Sequence, residues 1–349
     1  MRALTVQPPK PDTAQVQDLP DPVPAADQLL VEGLAIGICG TDREIAAGAY
    51  GWAPPGQQHL ILGHESLGRV RQAPTGSGFT AGDLVAGVVR RPDPEPCGAC
   101  ARGEFDMCRN GRYTEHGIKE VDGFGCQLWV TEPDRVVRLD PRLDELGVLV
   151  EPTSVVAKAW EQIDRVGARS WFAPRRVLIT GAGPIGLLAA LLGVQRGLDV
   201  HVLDRVATGP KPTTVAALGA TYHHEPMADV TARLSPDIVL ESTGAGPVIV
   251  EALAGTAPYG IVCLTGVSPA GHRIPIDAQL INRELVLEND VVIGSVNANL
   301  RHYRAAEQAL VNADQGWLRR LITRRVPLER FAEAMSSQPD DIKVLLTLS

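Results

Sequence analysis

The sequence predicts an α/β protein of two domains: a β-rich domain, then a doubly wound parallel-sheet domain. Three observations carry this expectation. The 349 residues exceed one domain of ~150. The first ~150 residues hold short β-rich runs between Pro and Gly turns. Beyond them, continuous apolar runs alternate with helical periods, as buried parallel strands and their crossover helices require.

In chain order, LLVEGLAIGIC (29–39) and DLVAGVV (83–89) read as strands, and APPG (53–56), TGSG (75–78) and RPDPEP (91–96) as turns or loops. GFGCQLWVTEPDRVVRL (123–139) reads as two strands around a Glu-Pro-Asp turn. SVVAKAWEQIDRV (154–166) has helical spacing. RRVLITGAGPIGLLAALLGVQRGLDVHVLDR (175–205) reads as strand, glycine turn, apolar helix and strand. PDIVLESTG (236–244), GIVCLTGV (260–267) and ELVLENDVVIGS (284–295) are further candidate strands. Helices are expected at 300–312 and 327–336, and a last strand at 342–348. There is no internal repeat.

Composition excludes several classes. Lys plus Arg total 33 against 41 Asp plus Glu, a net charge of −8, so neither nucleic acid nor an anionic membrane is the expected partner. No run approaches the ~20 apolar residues of a membrane span. The start MRALTVQPPKPD has no apolar signal core, so a cytoplasmic location is expected. Three of the six cysteines, Cys97, Cys100 and Cys108, crowd together, a pattern of metal binding more than of disulfides. Cys126 and Cys263 read as packing residues.

Gly181-Ala182-Gly183-Pro184-Ile185-Gly186 follows the strand VLIT and opens a helix. Gly181 suits the tight turn, Gly183 a close approach of backbone to pyrophosphate, and Gly186 close helix–strand packing. The helix N-terminus offers free N–H groups to phosphates. Asp204 ends the next strand, where a carboxylate binds a ribose 2′-hydroxyl. An acid there repels a 2′-phosphate, so NAD is preferred. Arg205 and Lys211 could still pair with that phosphate, which leaves NADP open.

Cys39-Gly40-Thr41-Asp42 closes an apolar strand, Gly63-His64-Glu65 follows another apolar run, and Glu151-Pro152 stands at the domain change. Thiolate, imidazole and carboxylates form a ligand set for Zn²⁺. Singly, a buried Cys is a small hydrophobe and a His a satisfied core residue. Together, beside a nucleotide-binding pattern, they read as a catalytic metal site.

These motifs, in this order, resemble the zinc-dependent medium-chain dehydrogenase/reductase superfamily. CGTDREI (39–45), YGWAPPGQQHLILGHES (50–66), VVRRP (88–92), HGIKEVDGFGCQLW (116–129), LVEPTSV (149–155) and GSVN (294–297) resemble its glucose 1-dehydrogenase family more narrowly. The resemblance implies a GroES-like catalytic domain, 1–155 completed by the tail 297–349, and a Rossmann domain over 156–296. It implies catalytic zinc on Cys39, His64 and Glu65, with Glu151 as fourth ligand or bridge to the sugar. Thr41, Glu115, Glu151 and Asn297 match sugar-contacting positions. Thr243, Leu264, Thr265, Gly266, Ser295, Val296 and Asn297 match segments along the cofactor. Cys97, Cys100 and Cys108 resemble a structural zinc lobe that lacks its first cysteine, so Asp93 or Glu95 is the candidate fourth ligand. The resemblance also suggests a homodimer or homotetramer across sheet edges, with DVVIGSV (290–296) a candidate edge.

The implied reaction is oxidation of a sugar hydroxyl, C1 of an aldose such as glucose, to a lactone with transfer of hydride to NAD(P). Thr41 would relay the proton. Val89 and Val155 stand where relatives often carry polar residues, and this motivates the alternative of a zinc polyol, cyclitol or alcohol dehydrogenase. A nucleotide-binding relative without turnover is a further rival, opposed by the intact Cys39, His64 and Glu65. His223 and His224 read as surface residues, His59 as incidental, and His116 as a candidate for lining the site.

Overall fold

The computed structural model describes residues 1–268 and 273–348. The chain divides into two compact units, Met1–Ser154 with Asn297–Ser349, and Val155–Val296. The helix Val150–Gly167 carries the chain from the first unit into the second.

The first unit is built on the long strand Leu29–Ile38. This strand pairs antiparallel with Glu65–Gln72, Leu128–Thr131 and Lys343–Thr347. The sheet runs on through Leu84–Gly87 and Val136–Arg138 on one side and Ile322–Pro327 on the other. The core gathers apolar side chains from both ends of the sequence, among them Leu29, Ile36, Leu62, Phe124, Val344 and Leu346. Register places Gly37 opposite both Glu65 and Leu345. Three strands therefore meet at the end of Leu29–Ile38, where Cys39 begins the helix Gly40–Ala46. A small sheet of Arg90–Arg91, Thr114–His116 and Glu120–Val121 stands apart from the main one.

The second unit is a six-stranded all-parallel sheet. Its spatial order is Thr221–His223, Asp199–Leu203, Arg176–Thr180, Ile238–Glu241, Ile261–Leu264 and Val291–Gly294. Strand order reverses beside Arg176–Thr180, the switch point where doubly wound sheets bind ligands. The glycine turn follows that strand and leads into the helix Pro184–Gln195.

The structure departs from the sequence expectation in three places. Residues 284–288 are not strand but the end of the helix Ala278–Glu288. The Asp277 side chain caps that helix through the N–H groups of Gln279 and Leu280, and Asn289 closes it at φ 57°. The strand starts only at Val291. A helix over Gln315–Leu321 and the strand Ile322–Pro327 were not expected. That strand lies at a sheet edge, where Arg324 and Arg325 are tolerated and mask the strand pattern. His223 is buried on its strand, with Nε2 2.8 Å from Nδ1 of His201, whereas His224 is exposed. The strand ends at His223, so His224 falls in the loop beyond it and the pair is split.

Gly186 shows why the third glycine of the turn is needed. A Cβ there would lie 1.8 Å from the Gly181 carbonyl oxygen, with no flexible side chain to yield. Gly186→Ala should lower stability by about 1–3 kcal/mol, read as a fall in the urea midpoint at unchanged slope.

Candidate metal and nucleotide sites

The first unit brings Cys39, His64 and Glu65 together, with one ligand atom of each within 4.8 Å of the others. His64 and Glu65 are buried. Asp42, fully buried, takes the Cys39 N–H at 2.9 Å on Oδ2 and faces His64 Nδ1 at 3.3 Å with Oδ1. Neither of these two buried atoms has a hydrogen-bond partner among the described residues; in a neutral imidazole a carboxylate at that distance would favour the proton on Nδ1 and leave Nε2 for a metal. Burial would lower the His64 pKa, but the Asp42 charge wins and holds it well above the ordinary value. Asp42 is itself below its ordinary range: burial pushes it up, and His64 and the Cys39 N–H pull it down further. Thiolate, imidazole and carboxylate at these separations fit zinc. The Thr41 hydroxyl is half-buried and has no protein partner among the described residues.

Two features were not anticipated. Lys343, 2% exposed, sets Nζ 2.6 and 2.5 Å from the two Glu65 oxygens and 3.3 Å from the Ile38 carbonyl. The signal was there: one lysine between Ile342 and the apolar run VLLTL (344–348) of the last strand. The second is Gly37, where a Cβ would stand 2.0 Å from Glu65 Oε2, so the glycine makes room for that carboxylate. Glu151 lies outside the 4.8 Å group. Its carboxyl is raised to about 7, first by burial and then by the Glu65 charge, while His64 and Lys343 oppose the rise.

Glu115 is buried and clamped on one oxygen. Oε1 accepts from Arg90 Nε (3.1 Å) and Nη2 (2.9 Å), and from Asn297 Nδ2 (2.6 Å). Asn297 holds φ at 61°, a left-handed conformation that a side-chain anchor helps to fix. His116 does not share the Glu115 site. It is the next strand residue, buried, stacked on Phe124 at 4.5 Å and bonded through Nδ1 to the Asp122 carbonyl at 2.5 Å. His59 contacts Gln7. Val89 is buried, and its N–H donates to the buried Tyr303 hydroxyl at 3.2 Å.

In the cysteine lobe the three sulfurs lie within 4.8 Å of one another, Cys97 and Cys100 at 3.7 Å. N–H groups of Arg109 and Cys100 hold the Cys97 thiol at about 6. Asp93 is not in that group. Its Oδ1 takes the Glu95 N–H at 2.8 Å and its Oδ2 faces Arg112 Nε at 3.4 Å. Glu95 is exposed and paired with Arg112.

In the second unit the glycine turn has the geometry a pyrophosphate needs. Gly181 sits at φ 94°. A Cβ on Gly183, which starts the helix Pro184–Gln195, meets nothing within 4 Å. Pro184 and Ile185 stay part-exposed, while the helix behind them is buried. Asp204 is not free: Oδ2 accepts from the Ala182 N–H at 2.7 Å and from Lys211 Nζ at 3.0 Å, and Oδ1 from the Val206 N–H at 3.2 Å. Arg205 is exposed beside it. Glu241 was missed. Fully buried, it accepts from the N–H groups of Thr243 (2.6 Å) and Gly244 (3.1 Å) and from the Thr243 hydroxyl. Its carbonyl takes the Thr265 and Gly266 N–H groups. One acid thus fixes Thr243, Thr265 and Gly266, next to the half-buried Leu264. Ser295 is buried with an unpartnered hydroxyl, and Val296 is 55% exposed.

Residues 144–348 match the profile described as glucose dehydrogenase C-terminus, and residues 25–141 the alcohol dehydrogenase GroES-like domain. The chain belongs to the glucose dehydrogenase family of zinc-dependent medium-chain dehydrogenases. Glucose 1-dehydrogenase of Thermoproteus tenax is 39% identical, over 99% of each chain. That of Methanocella arvoryzae is 36% identical, over 100% of this chain and 99% of the relative. A solved structure of Haloferax mediterranei glucose dehydrogenase, in complex with NADP, Zn and gluconolactone, superposes with a TM-score of 0.92. It is 31% identical and covers 100% of this chain and 99% of that one.

Lys343→Met should leave Glu65 buried and uncompensated, at about 3–5 kcal/mol of unfolding free energy. Adding Glu65→Gln should recover part of the loss. Urea unfolding of the four proteins of this double-mutant cycle checks both statements.

Proposed function

We propose that this protein oxidises the C1 hydroxyl of an aldose such as glucose to the lactone, with NAD(P) as hydride acceptor. The observation that carries the reading is a Cys39–His64–Glu65 donor group in the same unit as a Glu115 carboxylate that, among the described residues, is held on one oxygen only. The donor group suits zinc, which supplies a Lewis acid for the reacting oxygen. The cofactor accepts the hydride. Everything else falls to side chains. Arg90 and Asn297 saturate Glu115 Oε1, so Oε2 remains to accept a sugar hydroxyl. Thr41 accepts the proton released at the reacting hydroxyl and passes it outward. Asp42 and Lys343 hold His64 and Glu65 in position. Glu151, near neutrality in its proton affinity, is the reserve acid or base beside them.

At the nucleotide end, the expectation of an NAD preference rests on repulsion between the Asp204 charge and a 2′-phosphate. With that carboxylate paired to Lys211 and Arg205 beside it, two cations stand against one anion. This balance supports use of NADP as well as NAD. In the cysteine lobe, three sulfurs are available for a structural zinc, with Asp93 as fourth ligand once it turns from Arg112. The strand Val291–Gly294 is a sheet edge and only part-buried, and Leu280, Val286 and Leu287 of the helix before it are exposed. An open edge flanked by apolar side chains supports a homodimer built across it. Among the described residues no helix is long and apolar enough to cross a membrane.

Initial rates on glucose, other aldoses, polyols and cyclitols, each with NAD and NADP on protein of known zinc content, test the reading. Aldose turnover that disappears on chelation and returns with zinc is expected. Oxidation of a cyclitol or polyol with every aldose refused would replace the aldose with that class, and Val89 and Val155 would then be the first positions to change. Glu115→Gln should lower kcat/KM for glucose by about 10- to 100-fold, since a charge-assisted acceptor is lost.

A further inference from the structure

Two exposed aromatic side chains close to Glu115 have no part in the chemistry above. Tyr50 and Trp52 are 41% and 47% exposed, and their rings meet edge to face at 5.0 Å. Large exposed aromatics side by side are a mark of a binding surface.

Their position is fixed by the small sheet that carries Glu115. Trp52 pairs with Lys119 as an added bridge on that sheet. Its N–H donates to the Ile118 carbonyl, and its carbonyl accepts from the Glu120 N–H, both at 3.0 Å. Glu115 lies one strand further in, paired with Arg90 on one side and Glu120 on the other. Two strand spacings therefore separate Trp52 from Glu115, roughly 10 Å. The facing is also set. The Arg90 guanidinium forks Glu115 and lies 3.7 Å from the Tyr113 ring centroid, with Lys119 Nζ over the same ring at 4.4 Å. Glu115 and Lys119 also exchange backbone N–H···O bonds, both at 2.8 Å, as a directly opposed pair whose side chains share a face, and Trp52 is bridged to Lys119. Tyr50, in ring contact with Trp52, is within electrostatic reach of the same acid: its phenol is raised by burial and next by the Glu115 charge. Between them Gly51 has φ 95°, and a Cβ there would stand 2.9 Å from an Ile45 methyl, so the turn requires a glycine.

We propose that Tyr50 and Trp52 form a distal sugar subsite that takes the second pyranose of a reducing disaccharide. The proposal rests on the aldose reading and on Glu115 as acceptor for the reacting ring. A single pyranose held between the metal donors and Glu115 ends at Glu115. Trp52, about two strands further out, meets only a substituent carried by that ring. Pyranoses present C–H groups on one face and hydroxyls at the rim. An aromatic face matches the first, and Lys119, Glu120 and the Tyr50 hydroxyl match the second. The reaction is unchanged: C1–H leaves as hydride to NAD(P)⁺, the hydroxyl proton goes to solvent, and the glycosidic bond stays intact.

The test is kinetic, on the zinc-loaded full chain, with glucose, maltose and cellobiose, beside calorimetric titration of the same sugars. At least one disaccharide should be oxidised within about tenfold of glucose in kcat/KM, and Trp52→Ala should lower the disaccharide-to-glucose ratio by roughly fivefold or more. The loss should lie in KM and in the calorimetric Kd, not in kcat. Trp52→Phe should restore the ratio to within about twofold. Glucose turnover with both disaccharides refused, or an unchanged ratio in Trp52→Ala, overturns the subsite and leaves the aldose reading standing. If no aldose is turned over, both fall.

Discussion

The buried ion pair between Glu65 and Lys343 is the interaction on which the first unit depends. A carboxylate in that position is intolerable without a partner. The partner comes from the far end of the chain, 278 residues on in sequence. The chain must therefore leave the first unit, build the parallel sheet, and return to complete the sheet that houses Glu65. Register does the positioning: Lys343–Thr347 lies against Leu29–Ile38, whose other neighbour is Glu65–Gln72. Gly37, between the two, has no side chain to crowd the carboxylate. The donor group therefore has its full complement of partners only with the tail strand in place.

The same economy recurs elsewhere. Glu115, Glu241 and Asp204 are acids that the protein saturates on chosen atoms with fixed donors. Glu115 keeps one oxygen available because Arg90 and Asn297 occupy the other. Glu241 is wholly consumed and serves to shape the loop of Thr243 and Gly244. Asp204 lies between these cases, tying the turn at Ala182 to the loop carrying Lys211. An acid held by N–H groups costs little to bury and is an oriented acceptor or a rigid clamp according to how many donors it meets.

Much of this was legible in the sequence, and the reasons for the remainder are local. The parallel sheet could be read because its strands are apolar on both faces and its glycine turn has a fixed spacing. Cys39, His64 and Glu65 could be read because short motifs place them at strand ends. Lys343 and Glu241 were passed over because each is one charged residue in an apolar strand, and its partner is far away or is backbone. The helix Ala278–Glu288 was misread because none of its residues is fully buried, so its apolar side chains have no helical contrast of burial to report. Asp204 was identified as an acid in the right place, but its role depends on Lys211, whose direction no local pattern encodes. His223 and His224 differ because the strand ends between them, a boundary that three residues of strand cannot announce.

The charge balance of the donor group supports a divalent cation independently of any motif. Asp42, Glu65 and Glu151 bring three carboxylates, and Cys39 a thiol that binds metals only as its anion. Against them stand Lys343 and a His64 whose proton affinity is raised by Asp42. Glu151 registers the imbalance: burial and the Glu65 charge lift its carboxyl to about 7, although His64 and Lys343 pull the other way. A divalent cation among Cys39, His64 and Glu65 would favour the thiolate and the neutral imidazole and would bring Glu151 back toward its ordinary range. A thiol, an imidazole and carboxylates gathered beside the half-buried Thr41 hydroxyl thus make a donor set that fits a cation.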